Sequence, residues 1–336
     1  MRSEGPQSIK DLFGNSPEEM VSKLREKQQK FLEEEGKEMP TPETLAAKEA
    51  HLAKFTSRKG GAPKSRRQLN RADQARLPFW PDASRGVSNE MARSALFTVG
   101  QGKDRRMYKG EVVHSLKNVE ILYTGEELHQ RDLDVMLQLL HFGRLIPLGE
   151  SIPFTARDML TQLGWTLNSR SYQELSEVID RLKNASVHIV ASVGSRERGF
   201  SGSLVQSFAY HGKKGGDKRT RWQVTLEPRL AQLYTAVGYT QVEWSDRMQL
   251  RPTAKWLHTF YATHQQPFPM KVATLYQLCG SRNRELWRFR NTLRQGLKEL
   301  VKIGFLTSWT IDKTDLVSVV RNHAAKQRAL PKNEAT

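Results

Sequence analysis

The rhythm of hydrophobic and polar positions divides the chain. Through the first 90 residues long apolar stretches are missing, and Pro6, Pro17, Pro40, Pro42, Pro63, Pro78 and Pro81 interrupt what there is. A single helix is predicted there, over 17–35, where Met20, Leu24, Phe31 and Leu32 form a thin stripe and Ser16 with Glu19 fits a capping box. From about residue 105 the pattern is that of a folded domain. A strand is predicted at 119–123, helices at 128–142, 154–163 (capped by Thr155) and 171–183, and strands at 187–190 and 204–210 around a polar loop at 194–202. A strand at 221–226 and a helix at 228–234 follow. The order then recurs: helices at 253–264, 272–278 and 283–301, then strands at 304–311 and 316–320 joined by a polar turn at 312–315.

The recurrence can be placed residue on residue. Leu160 and Leu163, followed by Gly164, fall on Leu275 and Leu278, followed by Cys279-Gly280, and the same offset puts Val178 on Leu293 and Leu182 on Leu297. Helix, short helix, turn, long helix and hairpin make a winged-helix unit. The expected fold class is therefore α+β, with two tandem winged-helix domains behind a largely disordered N-terminal arm. The sequence places a flexible basic arm with one short helix at 1–90, a first winged-helix domain at 91–238, a second at 239–323 and a disordered tail at 324–336.

Charge narrows the partner. The chain carries 53 Lys and Arg against 36 Asp and Glu, a net +17, and its pI is about 10.0. Lys54, Arg58, Lys59, Lys64, Arg66, Arg67, Arg71 and Arg76 cluster against a single acid, Asp73. Such an excess suits a polyanion, since displaced counterions favour binding. An anionic membrane surface would share the attraction, but no apolar run approaches the ~18 residues of a span. Ile9, Leu12 and Phe13 sit among polar residues, unlike a signal peptide, so the cytoplasm is the expected compartment.

Catalytic chemistry finds little support. Cys279 is the only cysteine, and the 9 histidines include no HxH or HExxH pair, so no metal and no cofactor is expected. The 212–221 segment has glycines and cations but not the GxxxxGK[ST] spacing of a P-loop. No enzymatic activity is expected. A tyrosine recombinase, whose Arg, His and Tyr are dispersed, stays open as an alternative.

The two long helices differ on their outer faces. In a helix-turn-helix the second helix enters the major groove, one side on the core and the other on base edges. In the second unit Leu286, Phe289, Leu293, Leu297 and Leu300 share one side, while Arg284, Arg288, Asn291 and Gln295 share the other, flanked by Trp287 and Arg294. Arginine can pair bidentately with guanine, and asparagine or glutamine with adenine, so this helix is assigned base reading. In the first unit Leu175, Val178, Ile179 and Leu182 face the core, but the outer row includes Glu177 and Asp180, which phosphates would repel. Only its start, Ser169, Arg170 and Ser171, suits phosphate, together with Lys213, Lys214, Lys218, Arg219 and Arg221 of the glycine-rich loop.

Asn89-Glu-Met-Ala-Arg-Ser-Ala-Leu-Phe97, Tyr123-Thr-Gly-Glu-Glu-Leu128, Arg131-Asp-Leu-Asp-Val135, Ser171-Tyr172 with Asp180-Arg-Leu182, and Phe289-Arg-Asn-Thr-Leu293 resemble the TrfA family of plasmid replication initiators, over about residues 80–322. The resemblance implies a bacterial protein that binds directly repeated origin sites (iterons) as a monomer, with an inactive dimer in copy control. It implies opening of an adjacent AT-rich segment, whose single strand can also be held, and recruitment of host DnaA, the DnaB helicase and the polymerase sliding clamp. Glu177 and Asp180 then become candidate dimer contacts. Clamp-binding peptides end in Leu-Phe, which nominates Leu96 and Phe97, or Gln7 with Leu12 and Phe13. A winged-helix transcriptional repressor without a replication role is the alternative reading.

Overall fold

In the computed structural model residues 75–322 are described, apart from 103, 194–195, 212–220 and 236. The helix expected at 17–35 and the 324–336 tail lie outside them. The first lobe is built on α2 (Gln130–Gly143), whose residues are buried on nearly every side, the mark of a central helix. Its polar positions are buried with partners: Gln138 accepts from Arg85 Nε at 3.0 Å and His141 Nδ1 from Trp80 Nε1 at 3.1 Å.

Folding begins earlier than expected. Leu77 and Trp80 lie in the core, followed by β1 (Ser84–Ser88) and α1 (Asn89–Ala92). The arm boundary expected at residue 90 is therefore corrected: residues from Leu77 onward already belong to the fold. β1 pairs antiparallel with β11 (Tyr239–Glu243), more than 150 residues away in the chain. Gly86 lies against the Trp80 ring, where an added Cβ would come within 2.7 Å of it. β2 (Phe97–Thr98) and β5 (Leu128–His129) pair in parallel. A four-stranded sheet orders β3 (Met107–Val113), β4 (Val119–Glu126), β7 (Ser186–Val193) and β8 (Arg196–Gly202). The expected polar loop at 194–202 is thus largely strand β8, paired from Val187↔Gly202 to Val193↔Arg196.

Two groups of elements repeat one topology. In the first, β6 (Ser151–Thr155), α3 (Ala156–Gln162), α4 (Ser169–Asn184), β9 (Val205–His211) and β10 (Arg221–Leu226) form a sheet ordered β6-β10-β9. In the second, β12 (Met270–Lys271), α7 (Val272–Leu278), α8 (Leu286–Lys302), β13 (Leu306–Ile311) and β14 (Leu316–Arg321) form one ordered β12-β14-β13. The eight residues aligned by sequence, from Leu160 with Leu275 to Leu182 with Leu297, are all buried. Gly164 (φ 66°) and Gly280 (φ 59°) both end the short helix in the left-handed conformation, which glycine adopts without a Cβ clash. A 3₁₀ turn at Pro228–Leu233 replaces the helix predicted there.

The two cores meet near residue 250. Val242 and Trp244 belong to the first, and the second starts at Leu250. The boundary expected at 238/239 therefore moves past β11 and the short α5 (Trp244–Met248) to the start of α6 (Pro252–Ala262).

Candidate nucleic-acid interface

Amphipathicity explains how α8 is set. Phe289, Leu293, Gly296, Leu297 and Leu300 are buried against α6 and α7. Gly296 allows close approach, since an added Cβ would lie 3.0 Å from Leu257 Cδ1. The opposite side is open: Arg288, Asn291, Arg294 and Gln295 are exposed, and Trp287 is 53% exposed. Two details differ from the expected picture. The helix starts at Leu286, so Arg284 lies in the preceding turn, and Leu286 is 37% exposed. Lys298 and Lys302 continue the exposed row by one and two further turns. Lys298 lies three residues beyond Gln295 and Lys302 four beyond Lys298, a spacing that would have revealed them.

The row is held loosely. Arg288 reaches Glu285 at 3.4 Å and lies over the Trp287 ring at 5.2 Å. Arg294 donates to the Asn291 side-chain oxygen at 3.3 Å. Exposed contacts of this kind are worth ~0–1 kcal/mol, so exchanging them for base edges costs little. Arg290 instead faces inward and donates to Asp315 at 2.9 Å in the hairpin turn. That turn is fixed by Asp312, which accepts from the Thr314 and Leu316 amides, holding its carboxyl below the usual range.

α4 is organised differently. Leu175, Val178, Ile179 and Leu182 are buried as expected, while Arg170, Gln173 and Glu177 are exposed and Asp180 half-buried. Ser169 and Arg170 are exposed at its start, but Ser171 is a correction. Its side chain is buried, and its N–H donates to the capping Asn168 at 2.9 Å, so it closes the helix end. A cleft of about 780 Å³ beside this end is lined by Arg105, Arg131, Arg170 and Arg181, but also by Glu126, Glu174 and Glu177. The mixed charge suits an internally matched surface better than a phosphate pocket. Arg131 lies 3.6 Å from the Trp165 ring centre and pairs with Glu174. A second cleft, about 520 Å³, places Glu177 and Asp180 beside Met107 of the edge strand β3.

Of the basic loop, only Arg221 is described, exposed at the start of β10; Lys213, Lys214, Lys218 and Arg219 lie outside the described residues. So do Gln7, Leu12 and Phe13. Leu96 and Phe97 are 2% and 1% exposed, and Gln130 Nε2 donates to the Phe97 carbonyl at 2.6 Å. A clamp-binding peptide must present its Leu-Phe, so here the pair anchors the core and the clamp assignment for Leu96 and Phe97 is withdrawn. Among the described residues no group of three His, Cys, Asp or Glu could hold a metal ion, and no helix is long and apolar enough to cross a membrane.

Burial pushes the Cys279 thiol up to about 12, its sulfur packed in the turn after α7. Sequence reasoning passed over the groups joining that turn to the first lobe. Arg282 stands 3.1 Å from Glu127 and donates to the Asp104 carbonyl at 2.8 Å. Burial alone would raise the Glu127 carboxyl, but the neighbouring His129 ring, the Arg106 amide, Thr98 and the Arg282 charge together draw it down to about 2.

Among solved structures, domains 2 and 3 of RctB superpose with a TM-score of 0.50 at 13% identity, covering 69% of this chain and 97% of that one. A second structure of RctB domains 2–3 gives 0.47 at 14% identity, over 70% and 98%. The first likeness supports the arrangement of elements alone. The Escherichia coli plasmid replication initiator protein TrfA is 33% identical over 247 residues, 72% of this chain and 63% of that relative. The chain thus spans less than two thirds of its relative's length. The profile of the TrfA protein family matches residues 38–321, taking in both lobes, and the chain belongs to the TrfA family.

Proposed function

We propose that this protein is a plasmid replication initiator that binds directly repeated origin sites, reads their bases with α8, and has no catalytic step of its own. The observation that carries the reading is the α8 face. A helix-turn-helix arrangement presents Arg288, Asn291, Arg294 and Gln295 outward from a buried leucine side, the donor set that distinguishes guanine and adenine in the major groove. Each repeated group, with its short strand, two helices and hairpin, is read as a winged helix. Ser169, Arg170 and Arg221 are assigned to phosphate, with the neighbouring basic loop. Glu177 and Asp180 are assigned to self-association, next to β3, which is an edge strand among the described residues.

Family membership and the relative's printed function support the replication role over that of a simple repressor. Opening of an AT-rich segment and recruitment of DnaA, DnaB helicase and the sliding clamp belong to this proposal. A cytoplasmic location does too. DNase I footprinting on the origin of the parent plasmid tests it: evenly spaced protection over direct repeats supports an initiator, and protection of a lone inverted repeat favours the repressor. Glu177→Ala with Asp180→Ala should shift the monomer–dimer balance in sedimentation while leaving the footprint's sequence preference unchanged. A shift in preference alone would remove the dimer assignment.

A further inference from the structure

We infer that Arg282 is a positioning residue: through Glu127 it fixes the reading helix against the lobe that carries α4, and so sets the base-pair spacing the protein accepts. The inference rests on α8 as the reading helix, proposed above.

The turn from Cys279 to Arg282 leads directly into α8, and three contacts hold it to the first lobe. The Val99 N–H donates to the Cys279 carbonyl at 3.0 Å. Gly280 approaches so closely that an added Cβ would lie 2.6 Å from Thr98 Cγ2. The Arg282 guanidinium spans Glu127 at 3.1 Å and the Asp104 carbonyl at 2.8 Å. Glu127 is 2% exposed and also accepts from Thr98 Oγ1 at 2.9 Å and the Arg106 N–H at 3.3 Å. It cannot move without breaking those bonds.

The chain of charge-assisted bonds continues to α4. The Glu127 carbonyl accepts from Arg105, and Arg105 meets Asp132 at 2.7 Å. Asp132, 0% exposed, also accepts from Arg181 of α4 at 2.7 Å. A continuous set of partners therefore runs from the exposed Arg282 in the turn before α8, through the buried Glu127 and Asp132, to α4. The Nη donors of Arg282 engage Glu127 and the Asp104 carbonyl of the other lobe.

Spacing is the quantity such a brace controls. One inserted base pair displaces one half of a site from the other by about 3.4 Å and about 34°. Two rigidly joined contact surfaces cannot follow that change, whereas two loosely joined ones can.

The test uses the full chain as wild type, Arg282→Ala, Glu127→Gln and the double variant. Binding is measured over a range of salt to the native repeat, to repeats with one base pair inserted or deleted between the two contacted halves, and to scrambled DNA. Wild type should prefer the native spacing by about tenfold or more, as expected when a rigid interface meets displaced base pairs. Each single variant should reduce that preference to about threefold or less, and the double variant should go no further, because both substitutions remove one contact. The salt slope should stay unchanged. If Arg282→Ala instead lowers the salt slope by about 1 with spacing preference intact, and Glu127→Gln has no effect, Arg282 is a phosphate contact and the inference is overturned. A wild type that does not distinguish the repeat from scrambled DNA overturns the reading-helix proposal itself, which is a different outcome.

Discussion

At Asp134 a single carboxylate ties the two lobes together. This carboxylate, on α2 and 2% exposed, accepts from Arg247 Nε at 2.8 Å and also pairs with Lys255 of α6. Arg247, 0% exposed, further donates to Gln130 Oε1 at 3.1 Å and Thr259 Oγ1 at 2.7 Å. Burial pulls both cations' pKa values down, and the Asp134 charge opposes it. One carboxylate thus holds one fully buried and one half-buried cation. Asp134→Ala leaves both unpaired, and removing one member of a buried pair typically costs ~3–5 kcal/mol. That is about a third of an ordinary domain's ~5–15 kcal/mol, and for a unit of this size corresponds to a fall in Tm of roughly 6–20 °C. Thermal and urea unfolding at pH 7, followed by circular dichroism, would measure it. Adding Lys255→Met to Asp134→Ala removes one orphaned cation and should recover part of the loss. A loss below ~1 kcal/mol, or no recovery in the double variant, would refute the reasoning.

Further predictions concern pH, phosphate contact and core packing. Burial, then the Arg247 and Arg321 charges, hold His258 down to about 3. The unfolded chain takes up that proton near pH 6.5 while the folded one does not, so stability falls as pH drops from 6.5 towards 3, by ~2 kcal/mol at pH 5. Urea unfolding at pH 7.5 and 5 should show a flatter pH dependence for His258→Leu; an identical slope would remove His258 from the acid limb. Arg170→Ala should weaken binding about equally on every repeat sequence and reduce the salt slope by about 1, and a sequence-dependent loss would make it a base contact. Leu293→Ala, at a 0% exposed position under α8, should cost ~2–5 kcal/mol, readable in the same urea titration; a near-neutral result would mean that α8 is not packed as described.

Much of this was legible because helical amphipathicity is local. Phe289, Leu293, Leu297 and Leu300 on one side of α8, and Arg288, Asn291, Arg294 and Gln295 on the other, follow from 3.6-residue spacing, and the structure has them so. Val272–Leu278 is found within the residues predicted. What escaped depends on distant partners. β8 reads Arg-Glu-Arg-Gly-Phe-Ser-Gly, without alternation, and is a strand because it pairs with β7. β1 is likewise drawn into the fold by β11, and Trp80 by His141. Leu96-Phe97 has the same letters whether presented or buried, and only the packing of β2 against β5 and α2 decides between them. Arg282 was passed over for the same reason: its acidic partner lies 155 residues earlier in the chain, where local spacing gives no sign of it.

The central claim, that α8 reads bases, is tested most directly by binding at fixed salt. Wild type, Arg288→Ala and Asn291→Ala would be measured by fluorescence anisotropy against the native repeat and each single-base variant of it. The account predicts that each substitution costs ~1–3 kcal/mol on the native repeat and relaxes discrimination at one base position, leaving the others intact. Equal losses on every sequence, or no loss at all, would contradict it and place base reading elsewhere on the protein.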